Sequence, residues 1–115
     1  MSDLTEAKES IFEILALTRK SLVMPEPSVG KIDAFLMGYQ LCLGDRGMVP
    51  RHLLEFHEFQ GEWLATRLGQ PFPSPLGWAM RVRQSFATEH DAFVGFFELM
   101  DEFCRQKGIT ITPLA

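Results

Sequence analysis

The sequence predicts an all-α fold, one compact domain of about five helices with an aromatic-rich core. Three observations carry this. Ten of the 115 residues are phenylalanine. Apolar residues recur at steps of three and four through most of the chain, which is the spacing of one helical face. The clearest instance runs from Asp91 to Cys104, DAFVGFFELMDEFC, where Phe93, Phe96, Phe97, Met100 and Phe103 share one side and the carboxylates point away. Burying each phenylalanine fully would contribute roughly 1.5–3 kcal/mol, enough for these rings to dominate a core.

The first helix is expected from about Leu4 to Lys20. Asp3 caps it and Glu6 closes a capping box three residues later. Leu4, Ala7, Ile11, Ile14 and Leu15 form its inward stripe, with Glu6, Glu9 and Glu13 opposite. Proline at 25 and 27 keeps Met24-Pro25-Glu26-Pro27 extended. Ser28 caps a second helix over Val29 to Leu43, with Ile32, Phe35, Leu36, Tyr39 and Leu43 inward. Gly38 inside it costs about 1 kcal/mol relative to alanine, and a close crossing by another helix would account for it. Gly44-Asp45-Arg46-Gly47 is a turn.

A third helix starts near Pro50, a good first-turn residue, and continues to Leu68 with Leu53, Phe56, Phe59, Trp63 and Leu64 inward. Gln70-Pro71-Phe72-Pro73-Ser74-Pro75 then forms a stiff surface loop, which is expected to be a second candidate binding surface because ordering it would cost little. Ser74 and Pro75 open a short helix to Phe86, which carries Leu76, Trp78, Ala79, Met80 and Val82. Thr88 with Asp91 opens the last helix and Gly108 closes it. By region, residues 1–27 hold the N-terminal helix and a proline-containing connector, 28–108 the core helices, and 109–115 an extended tail.

Net charge is −4. That argues against a nucleic-acid partner, which needs a basic face to displace counterions. No apolar run approaches the ~20 residues that span a bilayer, and the acidic, amphipathic start MSDLTEAKES does not read as a secretory leader. Cys42 and Cys104 sit in helical segments among apolar neighbours and are expected to be reduced, buried thiols of a cytoplasmic protein. Whether they lie near one another is not legible from the sequence.

Little of the chain reads as chemistry. His52, Glu55, His57 and Glu58 are the one metal-like cluster, but histidines five apart on a helix diverge, and a zinc site needs three or four ligands. No nucleophile motif and no glycine-rich phosphate loop is present. Neither a catalytic residue nor a cofactor or metal is expected. Arg81 and Arg83 are expected to pair with acidic neighbours. Glu55, Glu58 and Glu62 form an acidic stripe at helical spacing beside Phe56, Phe59 and Trp63. Only Arg51 is placed to offset it locally, so the stripe is the candidate partner-binding face.

Several segments, taken in order, resemble a known group. Ala34-Phe35-Leu36-Met37-Gly38-Tyr39 forms an aromatic-x-x-Gly-Tyr helix. Phe56-His57-Glu58-Phe59 is followed by Trp63-Leu64, and Gly77-Trp78 begins a short helix. Asp91-Ala92-Phe93 and Phe96-Phe97-Glu98-Leu99-Met100-Asp101-Glu102-Phe103 close the chain. This order, over about residues 28 to 104, resembles small all-helical bacterial immunity proteins of polymorphic toxins. Where many of those carry an Arg-Pro-x-Met-Tyr-x-Gly segment, this chain reads Ser21-Leu22-Val23-Met24-Pro25. The resemblance implies a non-enzymatic inhibitor that binds a cognate protein toxin and occludes it. Two alternatives stay open: a helical regulatory or scaffold module that self-associates, and a small metal- or ligand-dependent enzyme.

Overall fold

The computed structural model describes residues 4–20 and 26–111. Among them the chain forms two short strands and five helices. β1 is Thr5–Ser10 and β2 is Met48–Arg51; α1 is Ile11–Arg19 and α2 is Val29–Asp45. α3 covers residues 53–68 in three parts, an α-helical Leu53–Glu58, a wide π-type turn Phe59–Trp63 and an α-helical Leu64–Leu68. α4 is Trp78–Gln84 and α5 is Glu89–Lys107.

The all-α expectation is therefore corrected. The domain is mostly helical, with a two-stranded parallel sheet pairing Thr5 with Met48, Glu6 with Val49 and Ser10 with Arg51. Parallel strands need a long crossover, which α1 and α2 supply. The expected first helix is half strand because its cap lies well downstream of Asp3. Ser10 is the true N-cap, with extended backbone (φ −73°, ψ 145°), and Glu13 completes a reciprocal capping box with it. Extended backbone at the cap sends the preceding chain out of helix, so Glu6 lies on β1. Asp3 itself falls outside the described residues, as do 21–25 and 112–115.

Two other helix starts move. Pro50 lies in β2, where a two-stranded ribbon has room for a residue with no N–H to give. α4 starts at Trp78 with Gly77 at its cap, while Ser74 accepts from the Leu76 N–H at 3.1 Å to make a local turn. The last helix is as expected: the Thr88 hydroxyl accepts from the Asp91 N–H at 3.0 Å, and Gly108 ends it with φ +70°. Past it, Ile109 and Ile111 pack against the core instead of standing clear as an arm.

The core is aromatic, as expected. Phe93, Phe96, Phe97, Met100 and Phe103 of α5 are all buried. Phe59 is its hub, with ring centroids 5.3–6.4 Å from those of Phe12, Phe56, Trp63, Phe96 and Phe103. Tilted and edge-on pairs of this kind add roughly 0.5–1.5 kcal/mol each beyond simple burial. Ion pairs tie the rim to α5, through Arg19 to Asp101 and Arg67 to Glu102, both at 2.8 Å. The expectation of two buried thiols holds for one. Cys104 is buried, Cys42 is exposed, and neither forms a disulfide.

Candidate functional site

The outward face of α3 brings the acidic stripe together with groups from three other segments. Glu55 and Glu58 line a groove with Arg51, His52, Lys107 and Thr110. Glu58 and Glu62 line a second, adjoining depression with His57, Gly61, Arg67 and Phe72. Glu58 stands on the shared rim, so the three carboxylates are spatial neighbours. Glu55 is half-buried and the other two are exposed. The local offset expected from Arg51 goes elsewhere. Arg51 reaches the Glu13 carboxylate at 3.2 Å and the Lys8 carbonyl at 3.0 Å, while Lys107 at the end of α5 pairs with Glu58.

The first groove is built on an unusual residue. His52 joins β2 to α3 in a left-handed conformation (φ 65°, ψ 24°). Few residues other than glycine adopt it, histidine being among those that do so more often. The His52 ring makes no cap to α3. Instead Nδ1 lies 2.7 Å from the Ser10 hydroxyl. That hydroxyl already accepts from the Phe12 and Glu13 N–H groups in the capping box. With both lone pairs engaged, it donates its proton to Nδ1, which leaves the other ring nitrogen carrying the imidazole proton. A serine and a histidine at this distance suggest a nucleophile and its base. Ser10, however, is fully buried and occupied in capping α1, so it has no path to a substrate. His57 lines the other depression, so the two histidines diverge as their spacing requires. Among the described residues no three His, Cys, Asp or Glu side chains gather to hold a metal ion.

The second depression is shaped by the π-type turn. Gly61 leaves helical backbone there (φ −93°, ψ −120°), and a Cβ on it would stand 3.4 Å from the Phe72 ring. The widened turn frees the Gln60 carbonyl, which accepts from Arg81 Nη2. Arg81 is 5% exposed and lies 5.5 Å beneath the Phe72 ring centroid. Burial pulls its pKa down from the ordinary arginine value. The expected acidic partner of Arg81 is thus replaced by a carbonyl and an aromatic face, whereas Arg83 does pair with Glu89, at 3.3 Å. Gln70 donates to the Arg81 carbonyl at 3.0 Å and to the Ser85 hydroxyl at 2.7 Å, which fastens the start of the proline-rich loop to α4.

Two further residues of this face escape the sequence reading. Leu54 is 79% exposed and Phe72 47%. Leu54 has a signal: of adjacent leucines on one helix, only one can face the core, and Leu53 takes that place. Phe72 has one only through its proline-rich loop, a second candidate surface; its seat on Gly61 depends on the break in α3 and has no local signal. No protein-family model, curated protein or solved structure matches the chain. Among the described residues no helix is long and apolar enough to cross a membrane.

Proposed function

We propose that this protein is a cytoplasmic binding module of the immunity type, one that seats on a cognate bacterial toxin and blocks it by steric occlusion without chemistry of its own. The observation that carries this reading is the α3 face. Its carboxylates Glu55, Glu58 and Glu62 share α3 with the exposed Leu54, and the exposed Phe72 lines the depression of Glu58 and Glu62. Apolar anchors surrounded by charge are the layout of binding hot spots. The carboxylates favour a basic partner and speed its approach. Phe72 is already fixed over Gly61 and Arg81, so little freedom is lost when a partner covers it.

Glu58 has Lys107 as a partner, so the net attraction rests mainly on Glu55 and Glu62. The test is to read the adjacent genes, co-express the C-terminal domain of a large secreted protein encoded there, and measure binding on the purified pair. Wild-type protein restores growth. Leu54→Glu with Phe72→Ala weakens binding by about 100-fold or more. Glu55→Lys with Glu62→Lys slows association about tenfold at low salt and leaves helicity intact. An unchanged association rate would remove this face from consideration. No such neighbour, or no binding of its domain at micromolar concentration, would end the proposal itself.

A further inference from the structure

We infer that the outer face of α2 pairs with the same face of a second copy of this chain, the two helices antiparallel about a twofold axis near Met37 and Gly38. Helix α2 has 17 residues. At the rise of an α-helix that is about 25 Å of rod. Its exposed residues are Gly30, Lys31, Ala34, Met37, Gly38, Leu41, Cys42, Gly44 and Asp45. They occupy a single arc of roughly 160° around the helix. Between Lys31 and Asp45 every one of them is apolar or glycine, although a solvated helix face is ordinarily polar. Met37 is 60% exposed and Leu41 73%. Gly38, where the sequence suggests a crossing helix, has nothing described within 4 Å of the place its Cβ would take.

The occupant follows from the order of these residues. In an antiparallel pair with the axis between positions 37 and 38, Leu41 lies opposite Ala34 of the second copy, and Met37 opposite its Gly38. Each large side chain then meets a small one, and symmetry makes each contact twice, as a self-complementary interface requires. The same register brings Lys31 level with Gly44 of the second copy and within reach of its Asp45. Lys31 also donates to the Glu26 carbonyl at 2.7 Å. Its ammonium group has donors enough for both. Opposite charges therefore meet at both ends of the contact, and the antiparallel helix dipoles add to this. A parallel pair would set Lys31 against Lys31 and Asp45 against Asp45. One helix pair of this length covers less than the ~800 Å² per partner of a standard stable complex, so the dimer forms only at high concentration.

Sedimentation equilibrium of the full chain from about 1 µM to about 1 mM reads this directly. The wild type passes from monomer to dimer. Leu41→Glu, at an exposed position that leaves the circular dichroism spectrum unchanged, weakens association at least about tenfold. Lys31→Glu alone and Asp45→Lys alone each weaken it about threefold, and the two together restore it. A wild type that stays monomeric at the highest concentration, or a Leu41→Glu variant that still dimerises equally well, overturns the inference. A double variant no better than the singles overturns the antiparallel pairing.

Discussion

Helices α2 and α5 are similar in length, 17 and 19 residues, and both are rich in apolar side chains, yet they stand in opposite relations to water. α5 has one greasy face and spends it inside; its exposed positions are mostly Glu, Asp, Lys, Arg and other polar residues. α2 is apolar nearly all round, and folding consumes only the side bearing Val29, Ile32 and Leu36. Each helix also carries an internal glycine and a cysteine. On α5 a Cβ at Gly95 would run into the Phe86 ring, and Cys104 is buried; on α2 Gly38 faces open space, and Cys42 is exposed. The same residue types are thus structural on one helix and available on the other. Periodicity alone reports how many faces are apolar, and packing decides which of them is used.

The largest expected effect separates the two helices by stability. Phe96 is fully buried, with its ring 4.9 Å from Trp78, 5.0 Å from Phe97 and 5.8 Å from Phe59. Phe96→Ala should cost about 3–5 kcal/mol in urea unfolding, while Leu41→Ala on α2 should stay within about 0.5 kcal/mol at micromolar protein. Comparable costs at the two sites would break the contrast.

Next come the glycines. Gly95→Ala forces the Phe86 ring aside and should destabilise by about 1–3 kcal/mol, whereas Gly38→Ala should stabilise the monomer by about 0.5–1 kcal/mol through helix propensity. The sign difference, read from paired thermal melts, is the sharpest form of the comparison.

The thiols give the smallest effect at neutral pH, and a pH dependence above it. Burial, with help from the Asp101 carboxylate, pushes the Cys104 thiol up to about 12 from its ordinary value near 9. Cys42 should therefore react with a thiol reagent at pH 8 in the native protein, and Cys104 only after unfolding. An acid whose pKa is raised on folding keeps its proton in the native state while the unfolded chain gives it up. Stability linked to Cys104 is accordingly full below pH 9 and falls by up to about 1.4 kcal/mol per pH unit between 9 and 12. Cys104→Ala should remove that part of the slope in unfolding titrations at alkaline pH.

How far the fold is legible follows from where the deciding contact lies. α5 is readable throughout, since its cap, apolar stripe and closing glycine are all local. The start of α1 is not, although its signal is just as local. Ser10-Ile11-Phe12-Glu13 is a capping box directly before an apolar run, but the helical spacing of Leu4, Ala7 and Ile11 hides it, and the weak strand formers of Thr5–Ser10 are held by pairing with β2 alone. The acidic stripe is visible because Glu55, Glu58 and Glu62 share a segment. Lys107 beside Glu58, and Ser10 beneath His52, come from distant parts of the chain, and no periodicity could announce them.

The backbone of α3 leaves the helix in its middle, at the single residue Gly61. Were Gly61 helical, the rod would run straight through and the Gln60 oxygen would return to its own backbone ladder. The guanidinium from α4 would then lose its acceptor, and the ring above it its resting place. An aromatic knob on the outer surface is therefore a by-product of a single break in a helix, and it depends on the one residue where that break falls.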